Sequence, residues 1–338
     1  MTVNLKKYQF TKNKSYYEIE MKNTNGMIVK LLNYGATLEK VLLPTIEGER
    51  NVILSLDTPE DYSKKRNFLG GTVGRFVGRV KGHTWNHGNV SVSLPANEGN
   101  NCTHGGNDGL DRQVFDFSYC EKSDSDEVSF ILIDPDGHNG FPGNLKIKVK
   151  YVLDKNDKIT YTVEGITDEM TLFNPTNHVY FALEGKNTSS KDTVLSINSK
   201  YYKPLNTEHL PIDSWHKSEG TVFDLRCGST LERIFNSQCP QIISEGGLNH
   251  PFLLSNGAQK AAAISSGKVR MVMKTSAPAI VAYTANHFKG NGITHNIHQH
   301  SGIALEGQIA PTSDLDWSAI TLLPNEVYTL KTSWKFEY

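Results

Sequence analysis

A chain of 338 residues with 35 basic and 36 acidic side chains, a formal net charge of -1 and 38% hydrophobic residues has the composition of an ordinary soluble globular protein. That balance excludes a disordered chain and offers no basic face to neutralise phosphates, so no nucleic-acid partner is expected. Length alone, at ~150 residues per domain, leaves one or two domains open.

Met1 to Phe10 holds no apolar run of the ~7–15 residues that a signal peptide needs, and no stretch approaches the ~20 that cross a bilayer, which predicts a cytoplasmic protein with no membrane partner. Along the chain, Thr58-Pro59-Glu60-Asp61-Tyr62 predicts a single capped helical turn. Short strands follow at Val90 to Leu94 and Val128 to Ile133. The clearest signal is the alternation Leu145, Ile147, Val149, Tyr151, Leu153 with lysine at 146, 148 and 150, which predicts a half-buried strand. The turn Asp154-Lys155-Asn156-Asp157 and a second alternation at Ile159, Tyr161 and Val163 complete a β-hairpin. Further strands are expected at Val194 to Ile197, Val269 to Met273 and Tyr328 to Phe336, with one or two helical turns at Thr230 to Phe235. No βαβ alternation, linker or fixed-period repeat interrupts this pattern. The expected fold is all-β: one large antiparallel β-sandwich over a shared core, a single domain spanning 1–338. Cys102, Cys120, Cys227 and Cys239 form no C-x-x-C pair and predict reduced thiols rather than a zinc or redox site.

Four polar segments between the strands combine residues that a turn alone does not need. Gly70 to Arg79 holds two arginines, Arg75 and Arg79, able to present donor forks to hydroxyls or carboxylates, or else to be surface charges. Asn97 to Gly106 places His104 in a loop before two glycines, where a ligand can approach the backbone. Cys102 beside His104 raises a thiol nucleophile as an alternative, without an evident orienting group. Asn174 to Phe181 packs polar donors and His178 into the start of an aromatic strand, where a satisfied core histidine is the plainer reading. Gly302 to Gln308 puts Glu306 inside an apparent strand, a costly place for a carboxylate unless it is paired or functional. Glu306 is therefore the best candidate base.

These segments, in this order, resemble the aldose 1-epimerase (galactose mutarotase) family over nearly the whole chain. The signatures His104-Gly105-Gly106, Thr176-Asn177-His178-x-Tyr180-Phe181 and Leu305-Glu306-x-Gln308 carry the resemblance. Asn33-Tyr34-Gly35-Ala36, Asp136-Gly137, Gly140 to Leu145, Phe223 to Arg226 and Tyr283 to Asn286 extend it. The resemblance implies a mutarotase-like supersandwich whose cleft binds a small monosaccharide, with no metal or organic cofactor. It assigns Glu306 as catalytic base and His178 as catalytic acid. Arg79, His104, Asn249, Gly78 and Tyr180 become sugar-binding positions. The chain departs from the family at Gly247-Leu248-Asn249-His250, where Asn249 stands on a sugar-binding aspartate and keeps hydrogen bonding without charge. Val281 stands where many members carry glutamine, and Gly78 where many carry asparagine.

The implied chemistry suits these residue types. Anomer exchange moves a proton off the C1 hydroxyl and another onto the ring oxygen, which opens the ring. A carboxylate with an ordinary pKa of ~4.3 and an imidazole near ~6.5 can serve as base and acid at neutral pH. Three alternatives stand beside this reading. A hexose-6-phosphate epimerase would need an arginine cluster, for which Arg75 and Arg79 are the candidates. A non-catalytic carbohydrate-binding protein would be expected to lack the acid or the base. His287, His295, His298 and His300 could form a metal site, although their Gly- and Asn-rich loop favours adventitious binding. Either a monomer or a homodimer is compatible with the sequence.

Overall fold

In the computed structural model, which describes residues 2–11, 14–185, 188–212, 214–255, 260–311 and 317–338, the predicted hairpin is the middle of a sheet. Strand Leu145–Asp154 pairs antiparallel with Lys158–Thr167, with Val149 opposite Val163. Leu145, Ile147, Val149, Tyr151 and Leu153 are all fully buried, while the lysines between them face outward. Alternation thus does what a pleat requires, one face dry and one wet. The sheet grows to nine strands by adding Asp116–Glu121 and Ser125–Asp134 on one side. On the other it adds Tyr328–Glu337, Val269–Thr275, Ala262–Ser266, Val194–Ile197 and Ser229–Thr230.

A six-stranded antiparallel sheet packs against it, in the order Tyr180–Phe181, Ile303–Gln308, Ala279–Tyr283, Asn249–Leu254, Ser199–Tyr202, His216–Lys217. Its inner face delivers Ile303, Leu305, Ile280, Ala282 and Phe252 to the core, where they join Tyr161, Trp334 and Phe336 of the nine-stranded sheet. A third sheet of five strands, from Thr2–Thr11 to Gly48–Asn51, closes the other end and adds Ile19, Met21, Val29, Leu31 and Val41 to the same core. The fold is all-β with large antiparallel sheets, as the sequence predicts. Among the described residues no helix is long and apolar enough to cross a membrane.

The predicted helical turns occur at Asp61–Lys64 and Leu231–Phe235. The first has no side-chain cap, contrary to the expected capped turn, and Thr58 Oγ1 instead donates to Asp61 Oδ2 at 2.9 Å; Thr230 caps the second helix by accepting from the Arg233 amide. A third helix, Pro240–Glu245, was not anticipated. Its signals are local, with Pro240 at the first helical position and Gly246 in the left-handed region just past the end.

Arg75 corrects the expectation of a surface charge or a ligand-facing fork. It is 1% exposed. Its Nε donates to Asp134 Oδ2 at 2.6 Å, and its other nitrogens reach the carbonyls of Asp134, Pro135, Pro142 and Gly143 at 2.8–3.2 Å. The guanidinium thereby ties the Gly70–Arg79 segment to the turn around Phe141, and its fork geometry is used on the protein itself. Replacing Arg75 with methionine leaves Asp134 buried without its main counter-charge, and should destabilise the fold by about 3–5 kcal/mol. Chemical denaturation of parent and variant measures the difference; a loss below about 1 kcal/mol contradicts this account.

Candidate active site

The outer face of the six-stranded sheet is the floor of a cleft. Side chains two apart along a strand share a face, and paired strands keep that parity. Pro251, Val281 and Glu306 form one cross-strand row, and Asn249, Tyr283, Ala304 and Tyr180 form the next. Six of these seven residues line the cleft, together with Gln308, and the intervening residues face the core. The walls are Phe68, Gly78, Arg79, Glu98 and His104 on one side and His209 and His287 on the other. The cavity volume is about 220 Å³, which falls just below the ~300–1,000 Å³ of sites for drug-sized ligands and suits a smaller one.

Glu306 and His178 meet here from segments far apart in sequence. Both are 4% exposed, and His178 Nε2 lies 3.4 Å from Glu306 Oε1, a loose contact rather than a tight hydrogen bond. The backbone of His178 is pinned to the glycine segment: its amide donates to the Gly71 carbonyl at 3.0 Å, and its carbonyl accepts from the Gly70 amide at 3.1 Å. The second oxygen of Glu306 accepts from Gln308 Nε2 at 3.1 Å, two residues along the same face. Burial pushes the Glu306 carboxyl above the ordinary carboxylate range, while His178, Arg79 and the Gln308 hydrogen bond pull it back.

His104 sits with its ring 5.5 Å from that of His178. Burial, and then the charges of His178, Arg79 and Arg66, push its pKa well below the ordinary value, so it stays neutral. Its Nδ1 accepts from the Gly78 amide at 3.3 Å, which leaves the proton on Nε2 as a donor. Gly105 is required behind it: the residue adopts φ +75, and a Cβ there would stand 1.8 Å from the Gly74 carbonyl oxygen. Arg66 locks the same loop, pairing with Asp111 at 2.6 Å and donating to the His104 carbonyl at 2.6 Å.

Arg79 faces the cleft and forks onto Glu98, with Nη2 donating to Oε1 at 2.9 Å and Nε bonded to Oε2. Asn249 Nδ2 donates to Glu245 Oε2 at 2.9 Å. Gly78 adopts φ +88, and a Cβ there would stand 3.3 Å from Pro311 Cβ at the cleft lining. Tyr180 contributes ring surface, its centroid 5.0 Å from that of His178, and burial holds it as the neutral phenol.

All seven residues singled out from sequence line this one cleft. Phe68, Glu98, Gln308 and His209 line it too and were not singled out. Gln308 lay within the Leu-Glu-x-Gln signature and was recoverable by parity; Phe68 and Glu98 are placed by tertiary contacts that no local pattern announces. Other candidates resolve differently. Cys102 is buried and its thiol is pushed up to about 12, which removes it as a thiolate nucleophile at neutral pH. The histidine tract disperses: His287 lines the cleft, His295 approaches Asp57 at 3.4 Å, and His300 stacks on Phe235 at 3.7 Å. Among the described residues no three His, Cys, Asp or Glu side chains gather in a metal-holding group.

Known proteins give the cleft a context. The family model described as aldose 1-epimerase matches residues 17–335. The aldose 1-epimerase of Escherichia coli K12 is 31% identical over 333 residues, covering 95% of each chain. The galactose mutarotase of Bos taurus is 28% identical over 322 residues, covering 91% of this chain and 90% of its own. The crystal structure of galactose 1-epimerase from Lactobacillus acidophilus NCFM superposes with a TM-score of 0.94 at 46% identity, covering 99% of this chain and 98% of its own.

The electrostatics of Glu306 predict a pH signature. As the base that the sequence expects, Glu306 must be ionised, so activity should fall as pH drops through its pKa, and burial sets that acid limb above the ordinary carboxylate value. Gln308 stabilises the charged form; Gln308→Leu removes that support and should move the limb to still higher pH. The pH profile of kcat/KM tests the sign, and an unmoved or acid-shifted limb contradicts it.

Proposed function

The chain belongs to the aldose 1-epimerase family, and from that premise we propose that it interconverts the α and β anomers of a free aldohexose with Glu306 as general base and His178 as general acid. The observation that carries this assignment is the 3.4 Å approach of His178 Nε2 to Glu306 Oε1 within the cleft. The C1 hydroxyl oxygen and the ring oxygen are bonded to the same carbon, so an acid and a base that serve both must lie side by side.

Glu306 takes the C1 hydroxyl proton while His178 gives one to the ring oxygen. The O–H electron pair becomes the second C1–O1 bond, the C1–O5 bond breaks, and the open aldehyde forms. Rotation about C1–C2 presents the other carbonyl face, and reversal of both transfers closes the opposite anomer. Neutral His104 donates through Nε2 and Arg79 through its guanidinium, so developing negative charge on oxygen meets two fixed donors. These proton transfers ask for nothing beyond side chains. Galactose, named in relatives, and glucose are the substrates proposed.

The arrangement speaks against a phosphorylated sugar. Arg75 is committed to Asp134, and Arg79, the remaining arginine of the proposed pair, is matched by Glu98. A purely binding role has less support than catalysis, because a recognition site has no need to bury a carboxylate against an imidazole at the cleft floor.

Polarimetry on freshly dissolved α-galactose and α-glucose tests the assignment. Glu306→Gln and His178→Asn should each lower kcat by about 10²–10⁴-fold, with a smaller change in KM. Near-parental turnover in either variant removes that residue from its role.

A further inference from the structure

Behind the cleft lies a buried acid that this mechanism does not use. Glu245 ends the helix Pro240–Glu245 and is 2% exposed. Gly246 then turns the chain in the left-handed conformation, and Asn249 begins the strand Asn249–Leu254. The turn brings the two side chains together, with Asn249 Nδ2 donating to Glu245 Oε2 at 2.9 Å. On its other side, both Glu245 oxygens lie 3.0 Å from His209 Nδ1. Asn249 and His209 line the cleft, and Glu245 stands behind them.

A carboxylate accepts hydrogen bonds and does not donate them, so only the amide nitrogen of Asn249 can face Glu245. The amide oxygen is thereby turned away from Glu245, on a side chain that lines the cleft. An aspartate at this position would present an acceptor in either orientation, whereas an asparagine does so only when its amide is held. We propose that Glu245 is a positioning residue for substrate recognition: it fixes Asn249 with Oδ1 toward the sugar, so that the amide accepts from a sugar hydroxyl as an aspartate would. His209 holds Glu245 in turn. The proposal rests on the sugar-binding reading of the cleft, and it makes Asn249 and Glu245 a matched pair in which polarity, rather than either residue alone, carries the function.

A polarity exchange tests it, with KM and kcat for galactose measured by polarimetry and thermal unfolding followed in parallel. Glu245→Gln removes the orienting acceptor, because an amide can pair with Asn249 in either orientation; KM should rise roughly tenfold while kcat changes less. Asn249→Asp, on the native Glu245, sets two carboxylates against each other and should also raise KM. Combining Glu245→Gln with Asn249→Asp restores a donor–acceptor pair of reversed polarity and still offers the sugar an acceptor, so KM should return to within about threefold of the parent. A KM for Glu245→Gln within twofold of the parent overturns the proposal. So does a lowered KM for Asn249→Asp, or a double variant no better than the worse single one. A merely structural role for Glu245 would lower the unfolding temperature without this reciprocal rescue of KM. Because Glu306 and His178 are untouched, loss of turnover in their variants and rescue in this series are read separately, and either reading can fail while the other stands.

Discussion

Parity along one strand organises the molecule. In Ile303–Gln308, Ile303 and Leu305 enter the core shared with the nine-stranded sheet, while Glu306 and Gln308 enter the cleft. A slip of one residue would drive the carboxylate into the core and lift two large aliphatic side chains into the site. Pairing with Ala279–Tyr283 on one edge and Tyr180–Phe181 on the other pins that register. The core's demand for Ile303 and Leu305 is thus the force that aims Glu306 into the cleft. Burial of apolar area and placement of the reactive group are one constraint with two readouts.

The cost of that placement is electrostatic. A carboxylate that is 4% exposed loses most of its hydration, and its raised pKa records the loss. His178, Arg79 and Gln308 offset part of it. Arg79 in turn is steadied by Glu98, so its positive charge reaches Glu306 from a fixed fork rather than a mobile surface chain. The two histidines divide their duties by environment. His104 is held neutral by burial and by surrounding positive groups, whereas His178 has the Glu306 carboxylate beside it. The two rings, with centroids 5.5 Å apart, thus stand in different electrostatic surroundings.

What could be read from the sequence follows from how local each cause is. Long alternating strands such as Leu145–Asp154 declare themselves because every second residue is buried on the same face. Two-residue strands such as Thr72–Val73 and Thr176–Asn177, which pair with each other to bring His178 to the cleft, have too few residues for any period to show. Glu306 stood out as a charge inside an apolar run, a conflict that local reasoning can detect. Only the family resemblance separated Arg79 from Arg75, since their difference lies in remote partners: Asp134 and the Pro142-Gly143 carbonyls for Arg75, an open cleft and Glu98 for Arg79. Glu245 was invisible for the same reason, its meaning supplied by Asn249 and His209 only after the chain turns at Gly246.

Under the proposed roles, the sheet also separates the part of the site that reacts from the part that chooses. Glu306 lies in the cross-strand row with Val281 and Pro251, while Asn249 lies in the next row with Tyr283. Neighbouring rows on one face are two residues apart, so under the proposed function their side chains address different parts of one sugar. On the proposed reading, a change at Asn249 alters which hydroxyl is matched and leaves Glu306 and His178 in place. Asparagine at 249 with an acid behind it fits that division under the proposed roles: Glu245 holds the amide in one row, and the proposed base stands in the next.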